Sequence, residues 1–409
     1  MDGMPLRVQA VSGEASRAPI GPPRVAVRSL SLSGFRNYTS ARLQLDGRPV
    51  VLTGDNGAGK TNLLEALSFF TPGRGLRGAR LGDITRHDAG EGAGWAVAAV
   101  LDAPHYSEMP VRIGTGLPSF PEGQQTQRRA VRIGGASQSS SAALLQLMGV
   151  IWLTPDMDRL FADGKSGRRQ FFDRLVLGFD SGHGGRLNAY EKARQERSRL
   201  LQGELQGRRA DPNWLDALEA AMAEHGVAVA AARQDALRTL QQALSVSQGP
   251  FPQAALALEG ELENGLAVSP AIDVEDSFRE ALRSGRRRDR EAGRALQGPH
   301  RSDLLVWHGE SMMPASICST GQQKALLISI ILANARLMTA RATPPLLLLD
   351  EVAAHLDEKR RAALFDAIED LGVQAWMTGA DCGLFSGLGG RAQYFIAARG
   401  EIREAARKV

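Results

Sequence analysis

Residues 54–61 read Gly54-Asp55-Asn56-Gly57-Ala58-Gly59-Lys60-Thr61. Every required position of the phosphate-loop pattern GxxxxGK[ST] is present. Val50-Val51-Leu52-Thr53 before it reads as a short buried strand. Asn62-Leu63-Leu64-Glu65-Ala66-Leu67 after it reads as a helix, with apolar residues at helical spacing. Strand, glycine turn and helix together suit phosphate chemistry. Glycines let backbone N–H groups curl round an anion, and the helix N-terminus adds partial positive charge. Lys60 would reach the β- and γ-phosphates, and the Thr61 hydroxyl would ligate Mg²⁺. The plainer alternative is a glycine-rich turn that happens to precede a helix.

A second acidic anchor lies about 290 residues downstream. Leu346-Leu347-Leu348-Leu349 is a continuous apolar run ending in Asp350-Glu351. A parallel strand buried on both faces reads this way, and ligands of open α/β sheets sit at strand C-terminal ends. Asp350 would hold Mg²⁺ through water, and Glu351 would orient or deprotonate an attacking water. Alone, the run is equally a buried strand followed by a surface turn. A third stretch, Ser319-Thr320-Gly321-Gln322-Gln323-Lys324, opens a helix with Ser319 as its N-cap. It offers a second anion site. One ATP needs one phosphate loop, so this site makes most sense facing the ATP of another copy. Asp357 could likewise cross to a partner, or simply cap the helix at Glu358.

Composition narrows the class. The chain has 409 residues, 43% apolar, enough for a large core and more than one domain. No apolar run approaches the roughly 20 residues that span a bilayer. Residues 1–22 lack an apolar signal region and read as a disordered extension. Two cysteines, Cys318 and Cys382, indicate neither a disulfide framework nor a zinc site. A cytoplasmic location is the default expectation. Net charge is +4 with a pI near 9.3, and only six of the 49 basic residues are Lys. Arginine suits nucleic-acid phosphates, although GC-rich coding would favour it too. Arg279–Arg301 holds eight Arg against Glu280, Asp289 and Glu291, and Arg74, Arg77, Arg80 and Arg86 form another cluster. Each Arg is otherwise read as part of a solvated face. No zinc-finger spacing or aromatic RNA-binding signature suggests base reading.

Along the chain, residues 24–53 read as strands around the turn Gly34-Phe35-Arg36-Asn37-Tyr38. Arg36 and Asn37 are candidate nucleotide contacts. Residues 95–102, 110–114 and 128–134 read as a β meander. Residues 167–248 have helical spacing, as two long helices joined near Gly207–Pro212. Leu187, Tyr190, Leu200, Leu201 and Leu205 mark the first helix. Trp214, Leu218, Met222, Val229, Leu237, Leu240 and Leu244 mark the second. A strand is read at 254–259 and a further helix at 276–288. Strand signals return at 304–307, 373–378 and 394–397, the last two closing the sheet. The reading is an α/β P-loop head built from both chain ends, interrupted by a helical arm. Its parts are the extension at 1–22, head at 23–158, helical arm (lobe II) at 159–291, and head at 292–409.

The chain resembles the RecF family of bacterial DNA replication and repair proteins, with an ABC-type ATPase head. The resemblance rests on Phe35-Arg36-Asn37-Tyr38, Gly54–Ala66, Gly167-Arg168-Arg169-Gln170-Phe171-Phe172-Asp173-Arg174 and Tyr190–Leu201. Gly298-Pro299-His300-Arg301-Ser302-Asp303-Leu304, Ser319–Lys324 and Asp350–Asp357 complete it. It implies ATP and Mg²⁺ as cofactors, an ATP-dependent homodimer, and binding at single-/double-strand DNA gaps. It also implies partners RecR and RecO, assistance in loading RecA, and slow hydrolysis. Gly54–Asn62, Arg36, Asn37, Ser319, Gly321, Gln322 and Asp357 would contact nucleotide, with Ser319 and Gly321 acting on the opposite protomer. Two departures from ABC-type ATPases stand out. Thr378 occupies the region where a histidine often follows the strand after Walker B, and no Q-loop glutamine lies near Leu153–Asp156. A less favoured alternative is an SMC- or Rad50-like DNA ATPase, which would need a longer coiled coil than the roughly 130 residues here. An ABC-transporter nucleotide subunit fits less well, because the signature is not Leu-Ser-Gly-Gly-Gln. An ATP-binding scaffold without turnover is a third.

Overall fold

Leu346–Leu349 is a strand with every side chain buried, as its unbroken apolar run predicts. The structure, a computed structural model, describes residues 25–405 apart from 87, 91, 120–127, 206, 247–248 and 342. The extension expected at 1–22, and most of the polar loop expected at 118–127, lie outside the described residues.

The first part of the chain runs β1 (Ala26–Phe35), β2 (Tyr38–Gln44), β3 (Val50–Thr53), α1 (Lys60–Ser68), β4 (Trp95–Asp102), β5 (Val111–Leu117), β6 (Ala130–Ile133), β7 (Ala136–Ser137) and β8 (Val150–Leu153). The middle runs α2 (Lys165–Val176), α3 (His183–Leu205), α4 (Pro212–Ser245), β9 (Ala254–Glu259), α5 (Glu261–Leu266), α6 (Ala271–Ser284) and α7 (Arg286–Ala292). The last part runs β10 (Asp303–His308), β11 (Met313–Pro314), α8 (Thr320–Ala340), β12 (Leu346–Leu349), α9 (Glu358–Leu371), β13 (Ala375–Gly379), β14 (Gln393–Ala398) and β15 (Glu401–Glu404).

The central sheet has the order β15-β14-β3-β13-β12-β8, parallel except for edge strand β15. Strands from both chain ends alternate in it, so the head is one α/β unit. β13 does not close this sheet, as the sequence reading had it: it pairs with β3 on one side and β12 on the other. Short, wholly buried strands belong in the middle of a parallel sheet, and charged Glu401–Glu404 suits the edge. The second sheet is an antiparallel meander, β2-β1-β4-β5-β6-β7. Its strand β4 alternates buried and exposed residues, the period of a half-buried strand. The β1–β2 turn is tighter than the sequence suggests. Phe35 and Tyr38 are paired strand residues, leaving only Arg36-Asn37 between them. Phe35, Phe69 and Trp95 pack at ring-centroid distances of 5.0–6.1 Å and tie the meander to the end of α1. Buried Gln374 bonds both backbone groups of Val27, stitching β13's approach to the bulge in β1.

α3 and α4 form the antiparallel arm. Pro212 is its first α4 residue, and Asp211 caps the Asn213 N–H. Two residues that the helical pattern marks as inward, Leu205 and Trp214, are 66% and 49% exposed. They lie at the arm's tip, where two helices alone have no third element to bury them. The arm segment is not all helix: β9 pairs antiparallel with β10, which belongs to the returning head.

The arm root is an enclosed polar network. Arg168 grips Asp303 with two bonds of 2.8 Å. Arg233 grips Asp173 at 2.8 and 2.9 Å, and donates to the Pro299 carbonyl at 2.7 Å and to Glu263 at 3.3 Å. Ser302 donates to Glu263, and Tyr190 donates to His300 Nδ1. Gly298 has φ +124°, and a Cβ there would stand 2.3 Å from the Tyr190 hydroxyl, so only glycine fits. The stretches 167–174 and 298–304 are therefore two halves of one joint.

Candidate functional site

β3 is buried throughout and delivers the 54–59 loop to the N-terminus of α1. That N-terminus has no side-chain cap, so its N–H groups remain available to an anion. Gly59 has φ +112°, and a Cβ there would lie 2.6 Å from Asn37 Nδ2 and 2.7 Å from the Tyr38 hydroxyl. Gly54 and Gly57 also take positive φ. The Ala58 N–H bonds the Asp55 carbonyl at 3.1 Å and closes the turn. Asn56 is exposed at its crest. Lys60 is 5% exposed, and its Nζ donates to the Gly54 and Asp55 carbonyls at 2.6 and 3.0 Å.

The β1–β2 turn lies against this loop. Asn37 Nδ2 donates to the Ala58 carbonyl at 3.2 Å, and Asn62 Nδ2 donates to Asn37 Oδ1 at 2.7 Å. The Tyr38 hydroxyl donates to the Gly59 carbonyl at 2.9 Å, and burial raises its pKa, keeping it a donor. Arg36 holds the fully buried Glu65 at 2.7 and 2.9 Å and the Asp83 carbonyl at 2.9 Å. Arg77 bonds the same Glu65 and Asn62. The guanidinium of Arg36 thus braces α1 against the turn.

Asp350 leaves the C-terminal end of β12 and is 4% exposed. The Thr61 hydroxyl lies 2.9 and 3.1 Å from its two carboxylate oxygens, across 289 residues of sequence. The Thr378 hydroxyl, at the end of β13, donates to Asp350 Oδ1 at 2.6 Å and accepts from the Glu351 N–H at 2.9 Å. Glu351 has φ +51° and its carboxylate makes no hydrogen bond or ion pair among the described residues. The hydroxyl and carboxylate of Thr61 and Asp350 are hard oxygen donors that fit Mg²⁺. Thr378 and Tyr38 are contacts whose roles a linear pattern could not assign.

Ser319, Gly321, Gln322 and Asp357 do not join this cluster within one chain. Ser319 and Gln322 form a capping box at the start of α8, the Gln322 N–H reaching Ser319 Oγ at 3.3 Å. Gly321 has nothing within 4 Å of an added Cβ. Asp357 caps α9, accepting from the Arg360 N–H at 2.8 Å. Behind this face, Lys324 Nζ lies 3.4 Å from Asp158.

The basic stretch 279–301 is less basic in space than in sequence. Arg279, Arg283, Arg286, Arg287 and Arg290 all meet carboxylates, several of them outside the stretch (Asp216, Glu219, Glu204). Arg288, Arg294 and Arg301 remain exposed. Near the head, Arg74 and Arg80 are exposed, whereas Arg77 and Arg86 are paired. No helix among the described residues is long and apolar enough to cross a membrane.

Comparison with known proteins agrees with this geometry. The profile of the RecF/RecN/SMC N-terminal domain family matches residues 26–386. The DNA replication and repair protein RecF of Mesorhizobium japonicum is 51% identical over 384 residues, covering 93% of this chain and 98% of that one. RecF of Brucella suis is 50% identical, covering 93% and 97%. Among solved structures, the recombination mediator protein RecF with ATP, of the RecFOR pathway, superposes with a TM-score of 0.77 at 19% identity, covering 95% of this chain and all of that one. An Smc head bound to the C-terminal winged-helix domain of ScpA gives 0.53 at 14%, covering 94% and 98%. These likenesses establish a shared ABC-type head fold. Sequence identity goes further: this chain belongs to the RecF family, within the wider RecF/RecN/SMC group.

Proposed function

We propose that this chain is an ATP-switched DNA-binding protein of recombinational repair and replication that works as an ATP-dependent homodimer. The observation that carries the reading is the meeting of Thr61 with Asp350 at strand C-terminal ends, beside an uncapped helix N-terminus. Residues Gly54–Asn62 hold the triphosphate, with Lys60 on the β- and γ-phosphates. Thr61 and Asp350 would hold Mg²⁺, which would supply positive charge against the triphosphate. Asn37 and Arg36 fix the loop's flank on the nucleotide side. Glu351, with its unpaired carboxylate, orients water for a slow hydrolysis. Ser319, Gly321, Gln322 and Asp357 bond only locally, which supports their acting on nucleotide held by a second copy.

The relatives' names, a DNA replication and repair protein and a recombination mediator of the RecFOR pathway, support DNA, RecR and RecO as partners; the reading extends this to DNA gaps, a cytoplasmic location and aid in RecA loading. Exposed Arg74, Arg80, Arg294 and Arg301 on the head, and Arg288 on the arm, are the cations for sequence-independent phosphate contact. Sedimentation with and without ATP and gapped DNA tests the reading. Wild type is expected to dimerise with ATP, Lys60→Met to remain monomeric, and Glu351→Gln to persist as a dimer. A wild-type protein that stays single with saturating non-hydrolysable nucleotide and gapped DNA refutes it.

A further inference from the structure

A cavity of about 270 Å³ lies at the edge of the central sheet opposite the Thr61–Asp350 cluster. Gly149, Val150 and Ile151 at the start of β8 line it, as does Thr343 just before β12. The nucleotide cluster sits beyond the other ends of these parallel strands.

Two guanidinium groups line this cavity, Arg174 and Arg341, and no carboxylate does. Arg174 stands out among the enclosed arginines. Arg168, Arg197 and Arg233 each meet at least one carboxylate. Arg129 lacks one but donates to the Phe69 and Thr71 carbonyls. Arg174 has no oxygen acceptor among the described residues. It lies over the Trp152 ring at 4.2 Å and the Phe171 ring at 5.8 Å, and its one polar neighbour is the Met157 thioether at 3.9 Å. Burial pushes its pKa down to about 10, which leaves it charged at neutral pH. Arg174 is half-buried at the cavity wall, and a charge drawn this far from water is ordinarily paired or hydrogen-bonded. The C-terminal ends of α2 and α8 offset part of the field, by about half an elementary charge each. Two full guanidinium charges exceed that.

We propose that this cavity binds a small phosphorylated anion, with Arg174 and Arg341 on its phosphate. Thr343 and Ser181 also line the cavity and bring hydroxyls, the Thr343 one bonded to the Met338 carbonyl at 3.3 Å. Phe179, over which Arg341 lies at 5.1 Å, and Met338 receive an apolar portion. Pockets for drug-sized ligands start at about 300 Å³, so the ligand is of mononucleotide size or smaller.

The test is calorimetric titration of the full chain with inorganic pyrophosphate and, separately, adenosine monophosphate. A Lys60→Met background silences the phosphate loop. One saturable site is expected there, weakened at least tenfold by Arg174→Gln and by Arg341→Gln, with a change in Trp152 fluorescence on binding. Pyrophosphate binding alone identifies an inorganic ligand; tighter adenosine monophosphate binding identifies a nucleotide. Arg341 is exposed, so its substitution leaves folding intact and decides the matter if Arg174→Gln unfolds the chain. No saturable binding of either probe in the millimolar range, or affinity indifferent to both arginines, overturns the proposal.

Discussion

Thr378→Val removes one hydroxyl and leaves the shape of the side chain nearly unchanged. Thr378 is fully buried, so the substitution opens no route for water to replace what is lost. Two bonds disappear together. The donation to Asp350 Oδ1 is charge-assisted and is worth about 1.5–3 kcal/mol. The Glu351 N–H loses its acceptor, and an orphaned buried donor costs about 1–3 kcal/mol. The two share one hydroxyl and are not additive, so the expected destabilisation is about 2–4 kcal/mol, a large part of the roughly 5–15 kcal/mol that holds a domain. Asp350 then keeps only Thr61 to orient it. If that orientation sets the Mg²⁺ position, the Mg²⁺-dependent gain in nucleotide affinity falls about 10- to 100-fold, at 1.4 kcal/mol per tenfold.

Denaturant unfolding measures the first effect, and fluorescent-nucleotide titration with and without Mg²⁺ measures the second. Thr378→Ser keeps the hydroxyl and is expected to recover both. A Thr378→Val protein of wild-type stability with the full Mg²⁺ gain refutes the reasoning. So does a serine variant as poor as the valine one, because packing would then explain the loss.

Two further outcomes follow from the arm root. Arg233→Met strands the carboxylates of Asp173 and Glu263, and losing one partner of a buried pair costs about 3–5 kcal/mol. A double-mutant cycle with Asp173→Asn, read by denaturant unfolding, is expected to show coupling above about 1 kcal/mol; a smaller value means the pair is incidental. His300 is held neutral, its pKa pushed from 6.5 to about 4, chiefly by burial. Between those pH values the unfolded chain binds a proton that the native chain does not. Stability therefore falls as pH drops through that window, by about 3 kcal/mol in all. His300→Gln is expected to flatten that part of the stability–pH curve, and an unchanged slope counts against the assignment.

The elements most legible in the sequence are those whose burial is one-dimensional. Leu346–Leu349 has no polar residue to mislead, and Trp95–Asp102 alternates without a break. The phosphate loop was legible because its glycines answer to local backbone geometry. What stayed hidden depends on partners remote in sequence. Arg286 reads as part of a basic surface until Asp216 and Glu219 arrive from α4. Trp214 reads as core because helical spacing does not reveal that a two-helix tip has nothing to pack against. Thr378 has no motif of its own. Its meaning comes from β13 lying between the strands that carry the loop and the acid.

The composite-site reading has a mechanical consequence rooted in which elements touch. The phosphate loop belongs to β3 and α1, braced by the β1–β2 turn through Asn37, Tyr38 and Arg36. Ser319 opens α8, and α8 packs along α4 of the arm and against β9. α4 is in turn locked through Arg233 to Asp173 on α2 and to the Pro299 carbonyl. The helix that presents Ser319 is therefore joined to the arm root by buried charge as well as by apolar packing. If the proposed homodimer forms, a second copy engaging Ser319 on its neighbour's nucleotide would pull on this joint, and a shift of the arm on DNA would pull back. Two of the stretches that carry the resemblance, 167–174 and 298–304, lie at that joint and not at the phosphates. Their residue types follow: bidentate arginines and a glycine with no room for a Cβ resist shear better than apolar contacts that can slide.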